Sequence, residues 1–252
     1  MAGPLIVIPA RIGATRLPRK PLADIAGEPM IVHVWRRAIE ADAGEVVVAT
    51  DSQEIADAIE AAGGKAVITR ADHPSGSDRV FEAVNLVDPD GKSDIIVNFQ
   101  GDQPVIEPSL IRDTIAPLAD PAVDIGTLAV ELTDPASVTE PSIVKLVGTP
   151  AGSGNMLRAL YFTRAPAPFG PGPLYVHIGI YAYRRQALAR FVALAPTPLE
   201  QREKLEQLRA LESGMRIDAR QVDSMPMAVD TPDDLDRVRA HFAAGAKRPA
   251  AA

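Results

Sequence analysis

The 252-residue chain contains no cysteine, which removes disulfides, cysteine zinc sites and thiol nucleophiles together. No apolar run reaches the length of about 18 residues that marks a membrane-spanning helix. Cations are in deficit, with 26 Lys and Arg against 33 Asp and Glu and a formal net charge of −7. That balance excludes broad, non-specific nucleic-acid binding through a basic surface. The start, Met1-Ala2-Gly3-Pro4, lacks a basic segment and runs at once into Leu5-Ile6-Val7-Ile8, unlike a secretory signal. A soluble, cytoplasmic protein is the expectation. Internal repeats are also missing. The tail 245–252 lacks apolar periodicity and is expected to fray.

What is present is a rhythm of short apolar runs and amphipathic stretches, the pattern of a layered α/β sheet. Strands are predicted at 5–8, 46–50, 66–69, 95–99, 125–131 and 143–147, and helices at 29–41, 52–62, 77–87 and 109–118. The first four strands are mostly β-branched and apolar throughout, as in a sheet covered on both faces. Beyond about residue 120 the regular spacing is lost. The stretches 157–162 and 175–183 read as further strands, and the Pro/Gly-rich segment 165–173 can be neither helix nor central strand. Two helices should close the chain, 198–213 ended by Gly214 and 232–242 entered through Thr231, Pro232, Asp233 and Asp234.

The first strand leads into Pro9-Ala10-Arg11-Ile12-Gly13-Ala14-Thr15-Arg16-Leu17-Pro18-Arg19-Lys20. Four cations thus gather within ten residues of an acidic chain. Ligands of parallel sheets bind beyond the carboxyl ends of strands, so the loop lies at the ligand edge. Gly13, Ala14 and Thr15 leave room for backbone amides to approach an oxyanion, while the cations suit a polyphosphate. The pattern is neither the Walker loop nor the GxGxxG dinucleotide fingerprint, which disfavours a nicotinamide dehydrogenase. On spacing alone it is also compatible with a solvated basic loop.

Pro9-Ala10-Arg11, Thr15-Arg16-Leu17-Pro18 and Lys20-Pro21-Leu22 together resemble the signature loop of sugar nucleotidyltransferases. An ordered set of further segments extends the resemblance over nearly the whole chain. It includes Val48-Ala49-Thr50-Asp51, Val97-Asn98-Phe99-Gln100-Gly101-Asp102, Tyr161-Phe162-Thr163-Arg164, His177-Ile178-Gly179-Ile180-Tyr181 and Val229-Asp230-Thr231-Pro232. The set is similar to the 3-deoxy-manno-octulosonate cytidylyltransferase family, the CMP-Kdo synthetases. The resemblance implies a three-layer α/β fold with a mostly parallel mixed sheet of the nucleotide-diphospho-sugar transferase type and a smaller β-rich lobe. It implies a nucleotide-binding part over 1–120, a sugar-binding and dimerisation lobe over 121–197, returning helices over 198–245 and a frayed tail over 246–252.

The same resemblance implies transfer of CMP from CTP to Kdo with release of pyrophosphate, for lipopolysaccharide biosynthesis, by a homodimer. Arg11, Arg16, Lys20 and Asp102 would be catalytic, and Ala10, Arg11, Thr15, Arg16 and Lys20 would hold the nucleotide. Ser77 and Arg79 are candidates for reading cytosine and ribose, although Ser77 is also a natural helix cap. Asp102 and Asp230 correspond to Mg²⁺ ligands, a cation that takes few carboxylates plus phosphate oxygens and waters. By local pattern they are equally a turn residue and a helix-entry residue. Asp51 reads as a capping or positioning group.

Gln100, Arg164, His177, Tyr181, Glu206 and Gln207 are implied sugar-acid contacts. Glu203, Glu206 and Gln207 should share one face of the helix 198–213, where a solvated acidic face is the alternative. Departures from the family are Gln103 where Glu is common, Arg19 where Gly is common, Val176 where a basic residue often stands, and the short loop 165–173. Transfer to 8-amino-Kdo or sialic acid, and a non-catalytic nucleotide-binding protein, stand as alternatives.

Overall fold

Residues 3–13, 17–152 and 154–246 are described by a computed structural model. In chain order its strands are β1 Leu5–Ala10, β2 Asp24–Ile25, β3 Glu28–Pro29, β4 Glu45–Thr50, β5 Lys65–Ile68 and β6 Ile95–Asn98. They continue as β7 Ile125–Glu131, β8 Lys145–Pro150, β9 Met156–Thr163, β10 Tyr175–Arg184 and β11 Ile217–Val222. The α-helices are α1 Met30–Glu40, α2 Gln53–Ala61, α3 Gly76–Val87, α4 Pro108–Ile115, α5 Arg185–Val192, α6 Pro198–Glu203, α7 Gln207–Glu212 and α8 Pro232–Ala246. Among the described residues no helix is long and apolar enough to cross a membrane.

The chain forms two compact units. The first comprises Leu5–Gly91, Phe99–Pro108 and residues 226–246; the second comprises Lys92–Asn98 and Ser109–Met225. These bounds cross the expected divisions at 120 and 197, because 198–225 belongs with the β-rich part and only the stretch from Pro226 rejoins the first unit.

In the first unit β5, β4 and β1 lie side by side and parallel, with Val7 opposite Val47 and Val47 opposite Lys65. Successive strand side chains point to opposite faces, yet Leu5, Ile6, Val7 and Ile8 are all buried. Both faces are therefore covered. Helices α1 and α2 adjoin one another against these strands, and α3 packs across β1, β4 and β5. The carboxyl ends of three strands are left to carry loops, which is where the site forms.

The second unit is a mixed sheet. β10 runs antiparallel to β6, β7 and β8, β11 runs parallel to β7 and antiparallel to β9, and β8 pairs with β9. The pairings β10–β7–β11–β9–β8–β10 close on themselves. Opposite β7, the register of β10 slips between Ile178 and Ala182, and the Thr127 hydroxyl lies 3.2 Å from the Ile178 carbonyl and 2.8 Å from that of Ile180. Such a bulge re-aims the side chains beside it, here His177 and Tyr181.

Local patterning located most elements within two residues, with the following departures. The expected continuous helix 198–213 is two helices, because Lys204 adopts the left-handed conformation at φ 56°. The carbonyls of Glu203 and Lys204 released there accept hydrogen bonds from the Arg164 guanidinium at 2.8 and 3.4 Å. Helix α3 begins at Gly76, and its cap is Ser75, whose hydroxyl accepts the Asp78 amide at 3.3 Å; Ser77 is a buried residue of the first turn. Strand β11 and helix α5 were not anticipated, since Ile-Asp-Ala-Arg-Gln-Val breaks the apolar pattern. Asp218 is buried there against Arg216, at 3.0 and 2.8 Å. Helix α8 runs to Ala246, beyond the expected end at 242. The rest of the tail, 247–252, lies outside the described residues.

Candidate active site

At the carboxyl ends of its parallel strands the first unit holds a cavity of about 350 Å³, large enough for a small-molecule ligand. Pro9, Ala10 and Arg11 at the end of β1 form one wall, and His73, Pro74, Ser75 and Gly76, between β5 and α3, form another. Gln100, Gly101 and Asp102 line a third side, with Lys20 and Asp230 beside them. A Cβ at Gly101 would stand 2.8 Å from the Pro9 carbonyl oxygen. Only glycine lets this segment approach β1 so closely.

Lys20 organises the acidic side. Its ammonium donates to Asp102 at 3.0 Å, to the Val229 carbonyl at 2.8 Å and to Asp230 at 3.3 Å, matching the three donors that a lysine possesses. Packing sets this geometry. Val229 is buried with Ile25, Met30, Leu235 and Val238, and Leu17 and Ala23, on either side of Lys20 in sequence, pack on the same cluster. The Val229 amide also donates to the Asp102 carbonyl at 2.9 Å. At the entry of α8, Thr231 and Asp234 cap each other, with the Asp234 amide 3.2 Å from the Thr231 hydroxyl and the Thr231 amide 2.8 Å from the Asp234 carboxylate. The Asp230 amide joins the same carboxylate at 3.0 Å.

Burial pushes the Asp102 carboxyl above its ordinary range; Lys20 opposes this, and the charge of Asp230 adds to it. The Asp102 side chain nevertheless keeps 27% exposure and Asp230 48%, so both are reachable from solvent. Among the described residues no group of three or more His, Cys, Asp or Glu gathers as a metal site. A converging carboxylate pair that leaves other positions to phosphate and water fits Mg²⁺, and the pair is short of positive charge.

Of the predicted nucleotide contacts, Ala10, Arg11, Lys20 and Arg79 line the cavity, Ser77 is buried behind it, and Thr15 and Arg16 lie outside the described residues. Arg79 is committed: its guanidinium donates to Asp51 at 3.1 Å and to the Thr69 hydroxyl at 2.6 Å. His73 was not singled out by sequence. Its ring bonds Glu82, which also accepts the Arg70 amide at 3.0 Å. The available signals were the family-like segment Thr69-Arg70-Ala71-Asp72-His73 and position, since His73 follows the third strand at the same carboxyl edge as the cationic loop.

The predicted sugar contacts divide between the units. Gln100 lines the cavity of the first; the others lie in the second. His177 is buried, its ring 4.8 Å from that of Phe162 and 5.4 Å from that of Tyr181. Burial pushes the imidazole down to about 3, so it is neutral at physiological pH. Its Nε2 lies 3.0 Å from the Thr127 hydroxyl. That hydroxyl has one proton, which the backbone carbonyls claim, so Nε2 is the donor and Nδ1 the acceptor. Burial, with the charges of Tyr183 and Glu206, holds the Tyr181 hydroxyl well above its ordinary value, so it stays a neutral donor. Gln207 is buried, and Glu206 stands 4.0 Å from Arg209.

Arg164 is tied down by the fold. Besides its bonds to Glu203 and Lys204 it donates to the Pro141 carbonyl at 2.8 Å. The Glu203 carboxylate accepts from the Arg164 amide at 2.9 Å and the Thr163 hydroxyl at 2.8 Å. Glu203, Glu206 and Gln207 therefore do not share a face of one helix, because the chain turns at Lys204 and Glu203 reaches back to the end of β9.

The departures have local explanations. Arg19 takes φ 57°, a left-handed conformation suited to glycine, and its guanidinium pairs with Glu54. It does not serve the cavity. The Gln103 side chain is buried, with Oε1 lacking a hydrogen-bond partner. Val176 is a buried residue of β10. The segment 165–173 forms a loop, as expected, with Phe169 fully exposed.

Comparison with known proteins places this geometry. A family model described as cytidylyltransferase matches residues 5–217. A 3-deoxy-manno-octulosonate cytidylyltransferase of Methylobacterium sp. (strain 4-46) is 65% identical, over 97% of this chain and 98% of its own. One from Xanthobacter autotrophicus is 65% identical, over 95% and 93%. A solved structure of CMP:2-keto-3-deoxy-manno-octonic acid synthetase complexed with CTP superposes with a TM-score of 0.88 at 41% identity, covering 97% of this chain and all of that one. A nucleotidyl transferase from Methanothermobacter, 17% identical with a TM-score of 0.60, shares the fold. The mixed α/β fold is thus that of the nucleotidyltransferases. The chain belongs to the cytidylyltransferase family, and within it to the 3-deoxy-manno-octulosonate cytidylyltransferases.

Proposed function

We propose that the protein transfers CMP from CTP to 3-deoxy-D-manno-octulosonate, giving CMP-Kdo and pyrophosphate. The observation that carries this reading is the joining of Lys20, Asp102 and Asp230 at one cavity beside Arg11, in a chain of this family. The anomeric hydroxyl of the sugar attacks the α-phosphorus of CTP. A new P–O bond forms, the bond from the α-phosphorus to the bridging oxygen breaks, pyrophosphate leaves, and the hydroxyl proton passes to solvent. Such transfers demand positioning and charge stabilisation more than covalent help. Arg11 and Arg16 bind the triphosphate, and Lys20 holds the two aspartates at the phosphate end. Asp102 and Asp230 would hold Mg²⁺, which when bound neutralises phosphate charge and acidifies the attacking hydroxyl.

The second unit supplies the sugar-acid contacts. His177 offers Nδ1 to a hydroxyl, Tyr181 donates its own, and Glu206 and Gln207 complete the polar set, while Arg164 braces the chain turn beside them. Residence in the cytoplasm, a homodimer built through the β-rich unit, and use of the product in lipopolysaccharide biosynthesis belong to the same proposal and rest on the family resemblance. The test is Kdo-dependent release of pyrophosphate from CTP, with ATP, GTP and UTP as alternative nucleotides and 8-amino-Kdo and sialic acid as alternative acceptors. Equal or greater release with another pair would overturn the substrate assignment.

A further inference from the structure

Behind the cavity wall lies a buried ion pair that the reaction does not consume. Arg79 and Asp51 retain only 4% and 9% side-chain exposure. One Asp51 oxygen accepts Arg79 at 3.1 Å, and the other accepts the backbone amide of Ile12 at 3.1 Å. Arg79 reaches on to the Thr69 hydroxyl at 2.6 Å, which itself donates to the Thr50 carbonyl at 3.2 Å. Asp51, Thr69 and Ile12 each follow a different parallel strand, β4, β5 and β1. A single charge pair therefore ties the outgoing loops of three strands to the first turn of α3.

We propose that Asp51 is a positioning residue for nucleotide binding, acting through the Ile12 amide and Arg79 to hold Arg11 and Ile12, just after β1, against the cavity. The inference rests on the function proposed above. A buried ion pair is weak evidence of a stabilising role, since well-packed apolar groups replace such pairs without loss in many proteins. Its value here is geometric. Ile12 adjoins Arg11, so the bond to Asp51 fixes the backbone beside this cation. Holding Arg11 in place before the nucleotide arrives lowers the ordering cost of binding.

The experiment compares wild-type protein with Asp51→Asn, which keeps the side-chain shape but removes the charge that holds Arg79. CTP affinity is measured by calorimetry without acceptor, alongside separate kcat and KM values for CTP and Kdo and a thermal unfolding curve. The expected result is CTP binding weakened by about tenfold or more, with KM for CTP raised in parallel and KM for Kdo within about twofold. Glu54→Gln, at the exposed pair with Arg19, is the control and leaves CTP affinity unchanged. If Asp51→Asn does not fold, Thr69→Val decides, because it removes the other Arg79 contact isosterically and should weaken CTP about threefold. A folded Asp51→Asn with unaltered CTP affinity, an equal loss for both substrates, or an equal effect of Glu54→Gln overturns the proposal. Because calorimetry needs no turnover, wild-type protein that binds CTP without using Kdo would sink the assigned reaction and leave this test standing.

Discussion

The two units treat their polar residues differently. In the first, Asp102 and Asp230 converge on Lys20 while remaining reachable from solvent, so their charges are available to a ligand. In the second, Arg164 spends its guanidinium on backbone carbonyls and His177 is buried and neutral. The contrast teaches that a motif residue can serve a site in two ways. It can present charge, or it can shape the chain around groups that do.

The sharpest way to break the comparison is at Asp102. Asp102→Asn should fold with near-normal thermal stability and lose about 10²–10⁴-fold in turnover, judged by pyrophosphate release. A folded variant with near-normal kcat would remove Asp102 from the chemistry. At Arg164 the prediction has another character. Arg164→Ala should cost about 2–4 kcal/mol of stability in chemical denaturation, because three carbonyls lose a charged donor. If stability is intact and only KM for Kdo rises, Arg164 is a presenting residue after all.

His177 sharpens the contrast through pH. Its native value of about 3 lies below the ordinary 6.5, so the unfolded chain binds its proton first as pH falls. The sign is therefore loss of stability from pH 6.5 downward, at up to about 1.4 kcal/mol per pH unit, ending near pH 3. Wild-type protein should show this slope in urea unfolding between pH 7.5 and 5, and His177→Gln should flatten it. Identical slopes would mean that the imidazole is not buried as a neutral group. The smallest effect is expected at Arg19. Arg19→Gly suits the left-handed backbone and removes a cation already paired with Glu54, so KM for CTP should stay within about twofold. A larger rise would add Arg19 to the phosphate loop.

Much of this was legible in the residues. Strands β1, β4 and β6 were apparent because both-face burial leaves an unbroken apolar run, and the cationic loop was apparent because it interrupts one. Asp102 and Asp230 were found only through family motifs, since each has an ordinary local role as well. Ser77 was misplaced as a cap because Ser75 competes for that role two residues earlier. The break at Lys204 had no local signal. The donor that stabilises it, Arg164, stands just after β9, 40 residues away, and a helical period cannot register such a partner.

By itself the sequence determined the alternation of strands and helices and the place where cations leave the first strand, because these depend on side-chain periodicity and chain geometry within a few residues. Tertiary structure alone decided which charges meet. Lys20 finds Asp102 across 82 positions and Asp230 across 210, and packing of the cluster around Val229 sets that meeting. Whether a charged group faces a ligand or braces the fold depends on partners of this kind, which no local pattern encodes.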